Sequence, residues 1–276
     1  MKAGTTWLYD QMKNHPQVYF CPEKELHYFA HQYGAESPLS VERRKRRAAV
    51  VLFRLMTGTA ARSGKAEKHR HLIDWYLEYV TGDVGPAWFE RLMAAGAGNQ
   101  EFISDFSNLT CFLDEEAWAR LRRDFGAVKV IYIMRDPIKR IWSHYKFHLQ
   151  HTKHTDAERP GEKFDLFKRI LGADFFIKNA QYFSTVTRLR KGLDESSLRI
   201  LYFEDMTSQP LKFLAEVENF VGLTPFEYRT DRISVKKNVS IDVPMPVEWR
   251  DYARETLASE LNGLKDIGLW HASWSS

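Results

Sequence analysis

A buried strand and the start of a helix are predicted within Val128-Lys129-Val130-Ile131-Tyr132-Ile133-Met134-Arg135-Asp136-Pro137. Residues 128–133 are mostly β-branched or aromatic, as strand residues usually are. Asp and Pro are both favoured at helix starts, so a helix is predicted over residues 138–150. A strand that runs through one arginine into a helix is typical of a parallel α/β unit.

The same alternation of strands and helices continues toward both ends of the chain. Two further strands are predicted at residues 18–20 and 198–203. Helices are predicted at residues 7–12, 74–80, 86–95, 175–191, 210–221 and 246–262. No internal repeat and no linker rich in Pro, Gly or Ser divides the sequence. The chain is therefore predicted to be one α/β domain with a central parallel sheet flanked by helices.

Composition excludes several classes of protein. The chain has 276 residues and is 44% hydrophobic, which is enough for a sizeable core and excludes collagen-like or wholly disordered chains. The longest apolar run near the start is too short to cross a bilayer. Two cysteines, Cys21 and Cys111, cannot form a disulfide framework or a multi-thiolate metal site, and they indicate a reducing, cytoplasmic compartment.

The charge of the chain is unevenly distributed. Ten basic and two acidic residues lie from Glu42 to Arg70, so this basic insert carries +8, whereas the formal net charge is only +4. An apolar stretch, residues 48–56, lies inside the insert. Two interpretations stay open: a surface helix with its apolar side on the core, or a basic amphipathic element peripheral to an anionic membrane or facing a polyanionic substrate. Nucleic acid is not expected as a partner, because no aromatic residues alternate with these charges.

A candidate anion site lies at the start of the chain, in Lys2-Ala3-Gly4-Thr5-Thr6 before the first predicted helix. Glycine allows the backbone to approach an anion closely, and helix N–H groups favour negative charge. The hydroxyls and the lysine add donors that suit a phosphate or a sulfate. The spacing differs from that of the nucleotide-triphosphate loop, where Lys follows the second Gly. An ordinary helix N-cap by Thr5 or Thr6 is the alternative.

A second candidate anion site is predicted at the end of strand 128–133. Ligands of open parallel sheets bind beyond the carboxyl ends of strands, where Arg135 lies. Ser143 follows two helical turns later. An arginine fork and a hydroxyl together could hold a second phosphate.

Three motifs, in this order, resemble those of the sulfotransferases that use 3′-phosphoadenosine 5′-phosphosulfate (PAPS). They are Lys2-Ala3-Gly4-Thr5-Thr6, Arg135-Asp136-Pro137 with Ser143, and Leu201-Tyr202-Phe203-Glu204-Asp205. The resemblance extends from Met1 to about Ser240. It implies a P-loop NTPase-like sulfotransferase fold in which residues 1–276 form one domain, with the basic insert at about 42–70.

The resemblance also implies a donor site. Residues Lys2, Ala3, Gly4, Thr5 and Thr6 would cradle the 5′-phosphosulfate of PAPS. Arg135 and Ser143 are similar to the residues that grip the 3′-phosphate, and Trp7 and Phe203 to those beside the adenine. Lys236-Lys237-Asn238 resembles a late basic loop over the 3′-phosphate, although the family's Arg-Lys-Gly sequence is not reproduced.

The same resemblance provides candidates for the catalytic residues. Residues 22–29, Pro-Glu-Lys-Glu-Leu-His-Tyr-Phe, resemble the segment of heparan-type and many bacterial sulfotransferases that carries a glutamate base, here Glu25. His27 is its rival, because the cytosolic branch uses a histidine. Lys2 would stabilise the transferring oxygens. Asp105 occupies the acidic position of a further family turn, and Phe106 replaces the lysine of heparan-type enzymes.

The predicted activity is metal-free transfer of a sulfuryl group from PAPS to an acceptor hydroxyl, which leaves adenosine 3′,5′-bisphosphate. The glutamate segment favours a carbohydrate or glycolipid acceptor. Sulfation of a small-molecule or natural-product alcohol, and a non-catalytic nucleotide-binding module, stay as alternatives. A kinase-like phosphotransferase is disfavoured because the Mg²⁺-holding residues are absent from the loop.

The family has a strand directly before the phosphate-binding loop, whereas this sequence reaches the loop at Lys2. A start at an internal methionine is one explanation, and a protein without that strand is the other. The first is preferred, since loss of a central strand would expose its neighbours. The chain as given is therefore expected to be poorly soluble or weakly active beside an extended one.

Overall fold

The computed structural model describes residues 2–34, 38–57, 66–152, 160–233 and 243–274. The chain divides into two compact units. The first unit consists of Met1–Leu8 and Ala127–Ser276, and the second unit of Tyr9–Gly126. The interpretation of residues 1–276 as one domain stays a prediction.

The described residues form four strands and fifteen α-helices, numbered here in chain order. The strands are β1 Val18–Phe20, β2 Phe102–Ser104, β3 Val130–Met134 and β4 Leu198–Tyr202. The helices are α1 Thr5–Met12, α2 Tyr28–Tyr33, α3 Val41–Thr57, α4 Ala66–Val80, α5 Pro86–Ala94, α6 Glu115–Phe125, α7 Pro137–Thr152, α8 Pro160–Gly172, α9 Asp174–Ile177, α10 Tyr182–Gly192, α11 Phe203–Ser208, α12 Pro210–Val221, α13 Thr230–Ile233, α14 Val247–Thr256 and α15 Ala258–Asp266. A short 3₁₀ helix covers Asn108–Phe112.

In the first unit, β3 and β4 pair in parallel, and Met134 lies opposite Tyr202 at their carboxyl ends. The next residues of the two strands therefore leave the sheet side by side. Met134 of β3 packs in a core cluster with Tyr182 and Val186, and a separate cluster of helix residues includes Ile141, Phe167 and Phe176. The predicted α/β class and the parallel pairing are confirmed.

The second unit holds a second two-stranded parallel sheet, in which Phe20 of β1 lies opposite Ser104 of β2. Its core is rich in aromatic side chains, including Tyr28, Trp88 and Phe89. The rings of Tyr28 and Phe89 stack with their centroids 4.2 Å apart. The carboxyl ends of β1 and β2 thus place two chain segments next to each other, those that follow Phe20 and Ser104.

Most predicted helices are confirmed, and α12 has the predicted bounds. It ends at Gly222, whose left-handed φ of 92° suits glycine and whose N–H donates to the Glu218 carbonyl over 2.8 Å.

The single helix predicted over residues 175–191 is wrong, because the chain forms α9 and α10 there. Asn179 explains the break. Its Nδ2 donates to the Phe175 carbonyl over 2.8 Å, and the backbone N–H of Ala180 turns back to Ile177 over 2.7 Å. A side-chain amide that competes for a helical carbonyl ends the helix. Buried Tyr182 then starts α10.

The helix predicted over residues 246–262 is also divided, into α14 and α15. Leu257 separates them with φ −103° and ψ 12°, outside the helical region. Its side chain is buried in the core of the first unit, so burial at this position outweighs helical continuity.

The basic insert contains α3, and its cations are not equivalent. Arg44 is buried and donates to the carbonyls of Leu39, Tyr79 and Gly82 at 3.2, 2.8 and 2.8 Å. The Arg47 Nε donates to the Glu23 carboxylate at 2.8 Å. Two arginines of the insert therefore form contacts within the second unit. The charge that the insert presents to solvent is smaller than the +8 counted from its sequence.

The outer side of α3 is apolar as well as basic. Phe53 and Met56 are 67% and 76% exposed, beside exposed Arg43, Lys45 and Arg46 on the same helix. Among the residues that the structure describes, none belongs to a helix long and apolar enough to cross a membrane.

Candidate active site

The phosphate-binding loop predicted at residues 2–6 lies in the first unit and leads into α1. Gly4 has φ 89°, and its carbonyl accepts the N–H groups of Trp7 and Leu8 at 2.9 and 3.2 Å. A β-carbon at this position would overlap the methyl group of Met206 and touch the ring of Phe203. Glycine is therefore required twice, for its backbone conformation and for its close packing.

Lys2 and His27, both predicted catalytic residues, have left-handed backbones. With φ of 65° and 59°, they are the two non-glycine residues with positive φ in the described ranges. Such conformations are costly for residues with a side chain and occur often at functional sites. The two candidates, one in each unit, are thus marked by backbone geometry as well as by sequence.

The Lys2 ammonium lies in a partly buried, cationic environment. Its Nζ is 4.8 Å from the centroid of the Phe147 ring. Burial lowers the pKa of Lys2, and the positive charges of Arg135 and Lys146 lower it further. Cations that lie close together repel one another, and a bound anion would relieve that repulsion.

Arg135 lies beyond the carboxyl end of β3, as predicted, and it contacts the loop directly. Its Nη1 donates to the Lys2 carbonyl at 3.2 Å. Its guanidinium carbon lies 4.5 Å from the centroid of the Phe203 ring, the first residue after β4. Burial lowers the pKa of Arg135, but a guanidinium remains charged in proteins. The structure therefore brings Lys2, Arg135 and Phe203 together.

Helix α7 continues the same site. Asp136 caps it, because its Oδ1 accepts the N–H groups of Ile138 and Lys139, each at 3.0 Å. Ser143 is buried on this helix, and Phe147 follows four residues later on the same side. Sequence reasoning missed Lys146 and Phe147; their helical spacing from Ser143 was the available signal.

Trp7 and the late basic loop complete the list of predicted donor-site residues. Trp7 is buried, and its Nε1 donates to the Ile233 carbonyl at 3.1 Å. Its ring meets that of Phe213 edge to face, with centroids 6.3 Å apart. Ala3 is also buried. Lys236, Lys237 and Asn238 lie outside the described residues, directly after the segment to which Trp7 is bonded. The adenine roles of Trp7 and Phe203 stay predictions.

Glu25 and His27 lie together in the second unit, after β1. Glu25 Oε2 accepts the Asn108 N–H at 3.1 Å and is 3.7 Å from His27 Nε2. Glu25 Oε1 is 3.1 Å from Lys24 Nζ, and the side chain is 41% exposed. The two base candidates are therefore neighbours. Their assignment to proton transfer stays a prediction.

Glu23, a second carboxylate of the same segment, is held by contacts within the second unit. It is buried, it pairs with Arg47, and the Tyr76 hydroxyl donates to it. A carboxylate whose oxygens are held in this way supports the core of the second unit.

Asp105 is the second acidic group at this edge of the sheet. Its Oδ1 accepts the hydroxyl of Ser107, while its Oδ2 is shielded from solvent and has no hydrogen-bond partner among the described residues. Burial raises the pKa of Asp105 to about 7, with a further contribution from the charge of Glu25. Sequence reasoning noted Asp105 only as an acidic residue of a family turn. The pairing of β1 with β2 reveals that it neighbours Glu25.

In the part of the chain that the structure describes, no group of His, Cys, Asp and Glu side chains could hold a metal ion.

The comparison with known families bears on this geometry. Residues 119–242, which include β3, Arg135, Ser143, β4 and Phe203, match the sequence model of the sulfotransferase domain. This part of the chain is similar to the sulfotransferase domain. The family predicted from the three motifs is therefore confirmed.

Relatives of the sulfotransferase domain extend over more of the chain. Carbohydrate sulfotransferase 15 of Homo sapiens is 24% identical over 280 residues, and that of Mus musculus 25% over 271 residues. Each alignment covers 87% of this chain and 45% of the relative. The chain thus spans about half the length of the curated relatives it matches.

Two solved structures share the fold. A sulfotransferase from Alicyclobacillus acidocaldarius aligns with a TM-score of 0.62 and 18% identity, over 99% of this chain and 94% of that one. The sulfotransferase domain from the curacin biosynthetic pathway aligns with a TM-score of 0.51 and 14% identity, over 93% and 94%. At these identities the likeness supports the fold alone.

Proposed function

We propose that this protein transfers a sulfuryl group from PAPS to the hydroxyl of a carbohydrate-type acceptor. The contact that carries the proposal is the bond from Arg135 to the carbonyl of Lys2, 3.2 Å long. It joins the glycine loop to the residue that follows β3, within the unit that contains most of the sulfotransferase match. Two cations joined in this way suit a donor that carries two separate anionic groups.

The donor-side residues fit PAPS in their chemistry. Lys2, Thr5 and Thr6, with the first N–H groups of α1, provide the donors that a phosphosulfate requires. Arg135 and Ser143 would hold the 3′-phosphate, and Phe203 provides an apolar ring beside them. PAPS supplies an activated sulfuryl group, and the chain supplies charges that hold it. Lys146 adds a cation to this set.

The acceptor side requires a proton acceptor, and we assign that role to Glu25. As the acceptor oxygen bonds to sulfur, its proton passes to a Glu25 oxygen, and the bond between sulfur and the phosphate oxygen breaks. Adenosine 3′,5′-bisphosphate leaves with the electrons of that bond. Lys2 compensates for the charge that grows on the phosphate. His27 is the alternative base. Because its Nε2 lies 3.7 Å from a Glu25 oxygen, position does not distinguish the two candidates, and substitution of each residue is needed to do so.

The acceptor class rests on the relatives and on the Glu25 segment. The curated relatives are named carbohydrate sulfotransferases. A small-molecule alcohol as acceptor, or a nucleotide-binding module without catalysis, would be distinguished by an acceptor panel. A cytoplasmic location stays part of the proposal, supported by the low cysteine content of the chain, which is limited to Cys21 and Cys111.

The exposed cations of α3 are proposed to meet an anionic acceptor or an anionic membrane surface. The relevant residues are Arg43, Lys45 and Arg46, with Phe53 as an apolar anchor. Replacing the three cations by alanine should raise the acceptor KM, or weaken binding to phosphatidylserine vesicles, more at low than at high salt. Unchanged acceptor kinetics and unchanged vesicle binding would leave α3 as a plain surface helix.

Titration calorimetry with adenosine 3′,5′-bisphosphate tests the donor side. Lys2→Ala and Arg135→Ala should each weaken binding about tenfold to a thousandfold, because each removes a charge-assisted contact. Lys191→Ala is the matched control, since Lys191 is an exposed cation of the same unit at the end of α10. Equal affinity in all four proteins would refute the assignment of the donor site.

A further inference from the structure

The loop that follows β2 holds the segment containing both candidate bases. Phe20 and Ser104 are paired at the carboxyl ends of β1 and β2, so the segments after them run side by side. Residues 105–108 make two hydrogen bonds to the Glu25–His27 segment. Ser107 Oγ accepts the backbone N–H of His27 at 2.7 Å, and the backbone N–H of Asn108 donates to Glu25 at 3.1 Å.

The direction of these hydrogen bonds is set by Asp105. A serine hydroxyl has one proton to donate and two lone pairs that accept. Ser107 donates its proton to Asp105 Oδ1, so its lone pairs remain for the N–H of His27. Asp105 thus orients the hydroxyl, and the hydroxyl in turn holds the backbone of His27.

The backbone that is held is a strained one. His27 has φ 59° and ψ 22° and precedes the first residue of α2. Its carbonyl accepts the N–H of His31 at 3.0 Å, which starts the helix. No side-chain cap stabilises this helix start. The bond from the His27 N–H to Ser107 therefore compensates for a conformation that a residue other than glycine rarely adopts.

We propose that Asp105 and Ser107 are positioning residues that fix the Glu25–His27 segment in its working conformation. The inference rests on the proposed function, because it assigns the proton transfer to that segment. Neither residue needs to touch the acceptor. Both residues act through the Ser107 hydroxyl. The backbone N–H of Asn108 provides a second hydrogen bond to the segment, at the carboxylate of Glu25.

Substitution of Ser107 and Asp105 tests this role. Ser107→Ala and Asp105→Ala should each lower kcat about tenfold to a hundredfold, because small displacements of a reacting group have effects of this size. The affinity for adenosine 3′,5′-bisphosphate should stay unchanged. Ser107→Thr keeps the hydroxyl and Asp105→Asn keeps an acceptor oxygen, so both should restore most of kcat.

Ser104→Ala is the matched control. Its hydroxyl also bonds to a backbone group, the Tyr19 carbonyl at 2.9 Å, but it has no bond to the Glu25–His27 segment. Its kcat should stay near that of the unmodified protein. If Ser104→Ala lowered kcat as much as Ser107→Ala does, the loss would reflect a general destabilisation of the sheet, and the proposal would be overturned.

Hydrogen exchange at the His27 amide provides a readout independent of activity. The amide should be protected in the unmodified protein and in Ser104→Ala, and should exchange about tenfold faster or more in Ser107→Ala and Asp105→Ala. Unchanged exchange would overturn the positioning role even if kcat fell. If the unmodified protein transfers no sulfate to any acceptor, the proposed function fails, and the exchange data still decide whether Ser107 holds His27.

Discussion

The guanidinium of Arg135 lies over the ring of Phe203, with its central carbon 4.5 Å from the ring centroid. The two residues are 68 positions apart in sequence. They meet because Met134 and Tyr202 are partners at the ends of two parallel strands. The same register brings the backbone N–H of Asp136 within 3.0 Å of Glu204 Oε1. The sheet thereby brings residues of two distant sequence motifs into contact.

A double-mutant cycle on Arg135 and Phe203 measures this relationship. Arg135→Ala should weaken binding of adenosine 3′,5′-bisphosphate strongly, and Phe203→Leu by about threefold to tenfold. The two effects should be coupled by about 0.5–1 kcal/mol, as expected for a cation over an aromatic ring. Calorimetry on the two single variants and the double variant supplies the coupling. Strictly additive losses would show that the ring does not position the arginine.

Gly4→Ala is expected to impair both stability and donor binding. The left-handed φ and the overlap with Met206 should lower the free energy of unfolding by about 1–3 kcal/mol. Gly172→Ala is the control, because a β-carbon there meets nothing within 4 Å and its φ is not left-handed. Chemical denaturation compares the two. Equal stability of both variants would contradict the close packing of the loop.

Asp105 should make stability depend on pH in a defined direction. Its pKa is about 7 in the folded protein and near 3.8 when unfolded, so between these values only the folded protein keeps the proton. Stability therefore falls as the pH rises through this window, with a slope from this group of up to about 1.4 kcal/mol per pH unit.

Asp105→Asn should remove that slope. Denaturation at several pH values from about 4 to 8 should show that the free energy of unfolding of the variant increases relative to that of the unmodified protein as the pH rises. Asp83→Asn, which removes an exposed carboxylate of the same unit, controls for the change in net charge. Parallel stability curves for Asp105→Asn and the unmodified protein would contradict the burial of this carboxyl.

Two arginines of α3 should differ sharply in their contribution to stability. Arg44→Ala removes three hydrogen bonds to backbone carbonyls and should cost about 2–4 kcal/mol. Arg46→Ala, two residues later on the exposed side, should change stability by less than about 0.5 kcal/mol. The free energies of unfolding of both variants provide the comparison. A similar loss for both would mean that Arg44 is not anchored as described.

The local motifs of the proposed donor site could be selected from sequence because each depends on short-range chemistry. A glycine before a helix, and an arginine after a strand, are visible within a few residues. Lys146 was missed because the sequence offered only its helical spacing from Ser143, whereas its proximity to Lys2 arises after α7 has folded. The break at Asn179 was missed because a helical pattern of apolar residues does not reveal a side-chain amide that captures a carbonyl.

On the proposed acceptor side, contacts between segments distant in sequence could not be predicted. Glu25 and His27 could be selected by resemblance, but their tie to Ser107 and Asn108 depends on the pairing of β1 with β2, some 80 residues apart. The burial of Arg44 likewise depends on carbonyls that belong to a distant helix and turn. A run of basic residues in sequence does not indicate which of them fold inward.

Transfer of radiolabelled sulfate from PAPS to a panel of glycans, glycolipids and small alcohols tests the central claim most directly. The account predicts labelled product with a carbohydrate acceptor, nearly abolished by Arg135→Ala and Glu25→Gln and retained in Lys191→Ala. Binding of adenosine 3′,5′-bisphosphate without transfer to any acceptor would contradict the account and leave a nucleotide-binding module.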